Sequence, residues 1–434
     1  MIFSDIAGII ADDLTGANDT ALQFHQRGAN TKILLDSDCT PKVKAGTEVW
    51  ALSSESRNVP SEEALARLEK AVRTFQENFT FDYYYKKIDS TLRGHIALET
   101  LRMVELLEYD AAIIIPAFPQ EGRITVGGYH LAKGVPIGRT EIAIDPHSPI
   151  TESHVPTLLR SQLKETEAEL VGTIDLRTVM MGAGPVLMRI NDLIKTGKKL
   201  IVADATSITD IEQIALAINK CEKKILPTGT AATAQVISKY WLAGIEKESV
   251  NLSVGTLPKF IVSGTATQIT ANQIVKLEQS DDFENVNFIP LETKDILEGV
   301  KDELVERILT NLKSGVTVCV HTSNLIANFD GFSEDSFNAE LTKEKLAGMI
   351  TDYLAELTKA VTDRIEVILI TLGGETSYKC CKAINSNELK LVDEAAPAIS
   401  ICSDINRKWI ITKSGNLGNS NTLIEILNYL AHHE

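Results

Sequence analysis

Short apolar, β-branched runs alternate with amphipathic stretches from one end of the chain to the other. That is the pattern of βα units wound around largely parallel sheets. In the first half, strands are expected at residues 6–11, 31–35, 48–52, 83–88, 111–116 and 200–205, with helices between them. Residues 61–75 set Ala64, Leu65, Leu68, Ala71 and Val72 on one helical face, and Ser61, ahead of two glutamates, reads as the N-cap. Residues 94–107, 179–195 and 208–220 read as further helices.

Between Ala117 and Pro156 the alternation lapses into a segment rich in glycine and proline. It is too long for an ordinary connection and is therefore expected to be functional. From Lys259 the alternation restarts, with strands expected at 260–262, 316–320, 367–371 and 409–412. The polar stretch 246–258, closed by a proline, is the candidate linker. The expected architecture is two α/β domains in series, 1–250 and 251–434, with largely parallel sheets. The active site is expected in the cleft between them.

Composition narrows the function. The 434 residues are 44% hydrophobic, 24% charged and 6% aromatic, which excludes collagen-like, disordered and coiled-coil classes. With 43 Lys and Arg against 59 Asp and Glu, the net charge is −16. This argues against nucleic acid or an anionic membrane as partner. A small anionic ligand remains compatible if the site gathers its own basic residues, and so does a homodimer. The N-terminal residues carry no basic segment, and the densest apolar stretch, 111–118, is too short to span a bilayer. The six cysteines are scattered without a Cys-x-x-Cys pair and are expected as reduced thiols of a cytoplasmic protein. Adjacent Cys380 and Cys381 read as core filling rather than a redox pair.

Candidate chemistry sits at strand ends. The first strand runs into Asp12-Asp13-Leu14-Thr15-Gly16-Ala17-Asn18-Asp19, crowding three aspartates where open α/β sheets bind ligands. Such carboxylates suit a general base, a magnesium ligand or a hydroxyl-binding group; helix capping by Asp13 or Thr15 is the plainer alternative for one of them. A second constellation, Lys86-Lys87-Ile88-Asp89-Ser90-Thr91-Leu92-Arg93-Gly94-His95, joins three cations, two hydroxyls and a carboxylate around a glycine. It offers a planar cation for a carboxylate and paired donors and acceptors for hydroxyls. Lys86 by itself reads as part of a solvated turn, and His95 as a structural histidine. Arg57 adds a guanidinium on the same edge or a surface ion pair. Within the long segment, Arg123 and Arg139 bring positive charge, as expected of a lid over an anion.

In the second half three glycine-bearing loops follow expected strands: Ser263-Gly264-Thr265-Ala266-Thr267, Thr371-Leu372-Gly373-Gly374-Glu375-Thr376 and Lys413-Ser414-Gly415-Asn416-Leu417-Gly418. Each places small residues where backbone N–H groups can cradle phosphate. Neither a Gly-x4-Gly-Lys-[Ser/Thr] loop nor a Gly-x-Gly-x-x-Gly after a strand occurs. Gly182-Ala183-Gly184-Pro185 resembles the Gly-Ala-Gly-Asp of ribokinase-like enzymes, but proline replaces the aspartate.

Taken in order, Ala11-Asp12-Asp13-Leu14-Thr15-Gly16-Ala17, Lys87-Ile88-Asp89-Ser90-Thr91-Leu92-Arg93-Gly94, Pro116-Ala117-Phe118-Pro119 with Gly122-Arg123, Asp145-Pro146 and the three glycine loops make the chain similar to the four-carbon acid sugar kinase family. The resemblance covers nearly the whole chain. It implies an N-terminal sugar-acid domain, a C-terminal nucleotide domain and ATP- and Mg²⁺-dependent phosphorylation at O4 of D-threonate, D-erythronate or a 3-oxo-tetronate. Asp12 is the expected base. Asp13, Asp19, Arg57, Lys87, Asp89, Ser90, Arg93, Gly94 and Arg123 are expected on the sugar acid. Ser263, Gly264, Thr267, Gly373, Gly374, Glu375, Thr376 and Gly415 are expected on ATP. Whether Asp13 or Asp19 holds the metal stays open. The chain departs from the family at Ser263 to Thr267, where Ser-Gly-Ser-Cys-Ser is usual, and at His95, where asparagine is usual; neither change removes a backbone N–H. Asn18-Asp19 looks more like threonate-type members. A sensor that binds sugar acid or nucleotide without turnover, and an isomerase or aldolase of sugar acids, are the alternatives. The aldolase would leave the glycine loops without a ligand.

Overall fold

The computed structural model describes residues 5–41, 46–145, 148–245, 253–265, 267–280, 283, 285–323, 325 and 343–433. Most of the candidate linker, and Ala266, Pro146 and His147 of the sequence motifs, lie outside them. The chain divides into two compact units, Met1–Lys247 and Glu248–Glu434.

In the first unit the strands are β1 (Asp5–Ala11), β2 (Thr31–Leu34), β3 (Val49–Ser53), β4 (Phe81–Lys87), β5 (Ala111–Ile115), β6 (Arg123–Val126), β7 (Tyr129–Ala132), β8 (Val135–Pro136), β9 (Val171–Ile174), β10 (Leu200–Ala203) and β11 (Ile225–Gly229). Eight of them form a sheet in the order β2-β3-β1-β4-β11-β5-β10-β9, parallel throughout. Helices cover both faces, so the central strands read as unbroken apolar runs such as Ala111-Ala112-Ile113-Ile114-Ile115, all buried. Ile113, Ile115 and Ile201 pack with Val186, Ile190, Ile211 and Ile214 from the helices Ala183–Lys195 and Ile208–Lys220 in one cluster. All six strands expected in this half form, with ends within two residues of expectation.

Local chemistry corrects three details. Ser61 is not the cap of its helix: Pro60 occupies that position without a side-chain hydrogen bond, and Ser61 lies exposed in the first turn of Ser61–Asn78. The stretch 179–195 is two helices, Leu176–Met180 and Ala183–Lys195, because Gly182 takes φ 99° between them. The long segment after Ala117 is not structureless. It carries the antiparallel sheet β6-β7-β8, turned at Gly127 and Gly128, whose φ values of 59° and 77° suit a tight hairpin between right-twisted strands. Asp204 anchors the hairpin, accepting from the N–H groups of Gly127 and Gly128 at 2.7 and 2.9 Å.

In the second unit β12 (Lys259–Ser263), β13 (Val286–Pro290), β14 (Thr317–His321), β15 (Ile368–Leu372), β16 (Glu388–Ala396), β17 (Ile399–Asp404) and β18 (Trp409–Lys413) run in the order β13-β14-β12-β15-β18-β17-β16. The first five are parallel, and β17 and β16 extend them as an antiparallel hairpin. Ile261, Ile370 and Ile411 on the central strands pack with Ile274, Ile426 and Leu430 from two helices.

Candidate active site

The end of β1 delivers Asp12 and Asp13, and the loop after β3 is pinned against it. Ser54 donates its hydroxyl to the carbonyl of Ala11 at 2.9 Å, and the N–H groups of Ser56 and Arg57 reach the carbonyl of Asp12. This clasp aims Arg57 inward. Its Nε and Nη2 donate to the two oxygens of Asp12, both at 2.8 Å. Nη1 and Nη2 donate to Asp13 at 2.7 and 2.8 Å. One guanidinium thus holds two carboxylates with four of its five N–H groups. Arg57 is 9% exposed and Asp12 3%, so this is a buried pair and not the surface pair allowed as an alternative. Burial pushes the Asp12 carboxyl upward, but the charge and hydrogen bonds of Arg57, with the charges of Lys86 and Lys87, together outweigh it and the net shift is down. Asp13 is also the N-cap of the helix Leu14–His25, accepting from the N–H of Gly16 at 2.9 Å and the hydroxyl of Thr15 at 2.8 Å.

Asp19 does not join the strand end. It lies inside the same helix, roughly one and a half turns beyond its start, where its charge acts on the buried Tyr85. Two of the three clustered aspartates, Asp12 and Asp13, are therefore brought together at the strand end.

At the end of β4 successive side chains part to opposite faces of the sheet. Lys87 stays with the aspartates: its Nζ donates to the carbonyl of Ile88 at 3.0 Å, and a Cβ on Gly16 would stand 3.0 Å from it. Lys86 is fully buried and pairs with Glu99 of the helix Ile96–Leu106 at 2.6 Å. It belongs neither to a solvated turn nor to a ligand-binding trio. Gly94, with φ 86°, brings the second constellation against the first, since a Cβ there would stand 3.2 Å from Oδ2 of Asp12. Asp89 accepts from Thr91 and from Nε of Arg93 at 2.7 Å, while Nη1 of Arg93 reaches Asp145 at 3.2 Å. Burial raises the Asp89 carboxyl, but Arg93 and Arg57 together hold it well below the usual range. His95 donates its Nε2–H to the carbonyl of Val59, 2.7 Å away, which ties the two loops together.

The hairpin supplies a histidine that the sequence did not reveal. His130, fully buried on β7, bridges the hydroxyl of Thr125 at 3.0 Å and the carbonyl of Ser90 at 2.9 Å. Burial drives it down to about 4, so it is a neutral strut. Arg123 on β6 donates to the Ser90 hydroxyl. Ser90 and Arg123, far apart in sequence, are thereby joined.

In the second unit the three glycine loops converge. A Cβ on Gly264 would meet the Thr376 hydroxyl at 2.6 Å, one on Gly373 would meet Thr265 at 3.3 Å, and one on Gly415 would meet the Thr265 hydroxyl at 2.3 Å. Thr267 caps the helix Gln268–Glu278, and Thr267 and Thr270 donate to the carbonyl of Gly415 at 2.6 and 2.8 Å. Gly373 precedes the helix Gly374–Ala383, whose first turn contains Glu375 and Thr376. The Glu375 carboxylate turns toward Thr351 and Lys379, leaving the backbone N–H groups of this turn as the donors to a ligand. Ser263 is buried at the end of β12. Cys380 and Cys381 are buried on this helix, and burial pushes both thiols up, which accords with core filling.

Residues 7–237 match a sugar-binding N-terminal domain and residues 260–423 a nucleotide-binding C-terminal domain. A D-threonate kinase of Bordetella bronchiseptica is 33% identical over 96% of this chain and 95% of its own. The chain belongs to the four-carbon acid sugar kinase family. A D-erythronate kinase of Heliobacterium modesticaldum is 28% identical over 97% of this chain and 96% of its own, and a 3-oxo-tetronate kinase of Haemophilus influenzae 26% over 95% and 96%. Among solved structures, a Salmonella typhimurium protein superposes with a TM-score of 0.77 at 20% identity, covering 96% of this chain and 98% of its own. A Haemophilus influenzae protein superposes at 0.71 and 22%, over 98% and 100%. The chain therefore shares the fold of these two proteins over nearly its whole length. Among the described residues no helix is long and apolar enough to cross a membrane.

Proposed function

We propose that the chain transfers the γ-phosphoryl group of ATP to the terminal hydroxyl, O4, of a four-carbon sugar acid, with D-threonate or D-erythronate as acceptor. The observation that carries this is the carboxylate pair locked on Arg57 beside Lys87 at the carboxyl ends of parallel strands. Lys87, whose ammonium has a single carbonyl acceptor, and Arg93 and Arg123 supply the positive charge for the substrate carboxylate. Each Asp12 oxygen spends one lone pair on Arg57 and keeps another to orient O4 and take its proton. As the oxygen attacks phosphorus, the bond to the β-phosphate breaks and ADP leaves. The first-turn N–H groups at Gly374 to Thr376 and the Ser263 to Thr267 loop serve the phosphates. Among the described residues no cluster of three or more acidic, histidine or cysteine side chains is built to hold an ion by itself. Magnesium is thus proposed to arrive on the phosphates, where it neutralises their charge.

The test is ADP release by purified protein with Mg-ATP and a panel of D-threonate, D-erythronate and 3-oxo-tetronates. Stimulation by a four-carbon acid is expected. Binding of these acids with no ADP release would leave a sensor instead.

A further inference from the structure

Lys413 ends β18 beneath the three glycine loops, and its side chain is wholly buried. Its Nζ donates to the Thr270 hydroxyl at 3.0 Å and to the carbonyl of Ser414 at 2.8 Å. Both acceptors are neutral. The elements around it carry charge: Lys276 and Glu278 on the helix Gln268–Glu278, Glu375, Lys379 and Lys382 on Gly374–Ala383, and Asp404 on β17. Glu375 pairs with Lys379, and Asp404 accepts from Ser386. Among the described residues no carboxylate forms an ion pair with Lys413.

A buried ammonium without a counter-charge is costly. Here the cost is compounded, because Thr270 lies in the first turn of Gln268–Glu278, where the helix itself is partially positive. Two positive features therefore meet in one dry corner, under loops whose glycines let them pack closely against one another. An anion is the missing partner. We propose that Lys413 is the buried counter-charge for the phosphates of the bound nucleotide, acting through the Ser414-Gly415 turn and the Thr270 hydroxyl as a positioning residue. The assignment rests on the C-terminal unit being the nucleotide domain, and it names the cation of that site. In the free protein, burial pushes the ammonium down to about 7, as expected of a charge still waiting for its partner.

The signature is an opposition between stability and binding. Lys413→Met removes an unpaired buried charge and keeps the volume. The apo protein should melt at or above the wild-type temperature, while MgADP, measured by calorimetry, should bind at least tenfold more weakly. The KM for ATP should rise likewise, with the KM for the sugar acid within twofold. Lys413→Gln keeps two donors for Thr270 and Ser414 but not the charge, and should lose MgADP to the same extent, which guards against a methionine variant that fails to fold. Either folded variant binding MgADP within twofold of wild type overturns the proposal. So does a fall in apo melting temperature with both substrate constants rising together. A wild-type protein that binds no MgADP would instead sink the nucleotide reading, and this one with it.

Discussion

Arg57 decides more than any other single side chain in the first unit, because two buried carboxylates share it. Removing it leaves Asp12 and Asp13 buried without the guanidinium they share, a loss on the order of 3 to 5 kcal/mol. Arg57→Met should show this in urea unfolding at pH 7, and the deficit should shrink on acidification below the usual carboxylate range, where Asp12 takes up its proton. A deficit that ignores pH would mean the fork is not a charge lock. Asp12→Asn, by contrast, should fold and lose kcat by orders of magnitude. Glu55, held at φ 49° after β3, works in the opposite direction. Burial, helped by the Asp13 charge, raises its carboxyl to about 8, above its unfolded value. Its contribution is therefore complete below about pH 4.5 and is lost as pH rises toward 8. Glu55→Gln, which mimics the protonated form, should flatten the stability profile between pH 5 and 8. These residue-scale facts were only half legible. Asp12, Asp13, Lys87 and Gly94 could be found from local motifs, whereas His130 could not, since its partners Ser90 and Thr125 are joined by tertiary packing.

At the scale of elements, glycine separates structure from function. A Cβ on Gly16 would strike the Asp13 carboxylate at 2.5 Å and crowd Lys87, while one on Gly184 meets nothing within 4 Å. Gly184→Ala, in the first turn of Ala183–Lys195, should stabilise by about 0.4 to 1 kcal/mol with activity unchanged. Gly16→Ala gains the same helix preference but should cut kcat/KM for the sugar acid by at least about tenfold, or about 1.4 kcal/mol. Equal turnover in the two variants would separate the Asp13 cap from the site. Three of the strands that escaped the sequence pattern break a local rule for a visible reason. Pro227 argues against a central strand, yet β11 begins its ladder to β4 only at Thr228, so the missing N–H falls outside that pairing. β9 is four residues with a glycine at its second position. β16 mixes charged and apolar positions because it belongs to an antiparallel extension rather than the buried parallel core.

For the whole molecule, two separate cores imply two separately addressable stabilities. A ligand that binds one unit adds about 2.7 kcal/mol at a hundredfold excess over its Kd. Sugar acid should therefore slow amide exchange mainly in β1, β3 and β4, and MgADP mainly in β12, β15 and β18. Nucleotide protection appearing first around Asp12 would reverse the division of labour between the units. The net charge of −16 repels both anionic substrates at long range, but the field is screened beyond roughly 8 Å at physiological salt. On the proposed function, capture accordingly falls to Lys87, Arg93, Arg123 and the glycine loops. The two-domain α/β order was legible because apolar period and glycine punctuation are properties of contiguous sequence. The pairing of charges within each domain was not.

The Lys86–Glu99 pair, sealed in the core, bears on the history of the fold. Losing either partner alone strands a buried charge, whereas an apolar pair of similar volume is tolerated. Descent from one arrangement to the other must therefore cross a poorly folding intermediate or change both codons together. Among related sequences, these two positions should be inherited as a unit: charged together or greasy together, and seldom mixed.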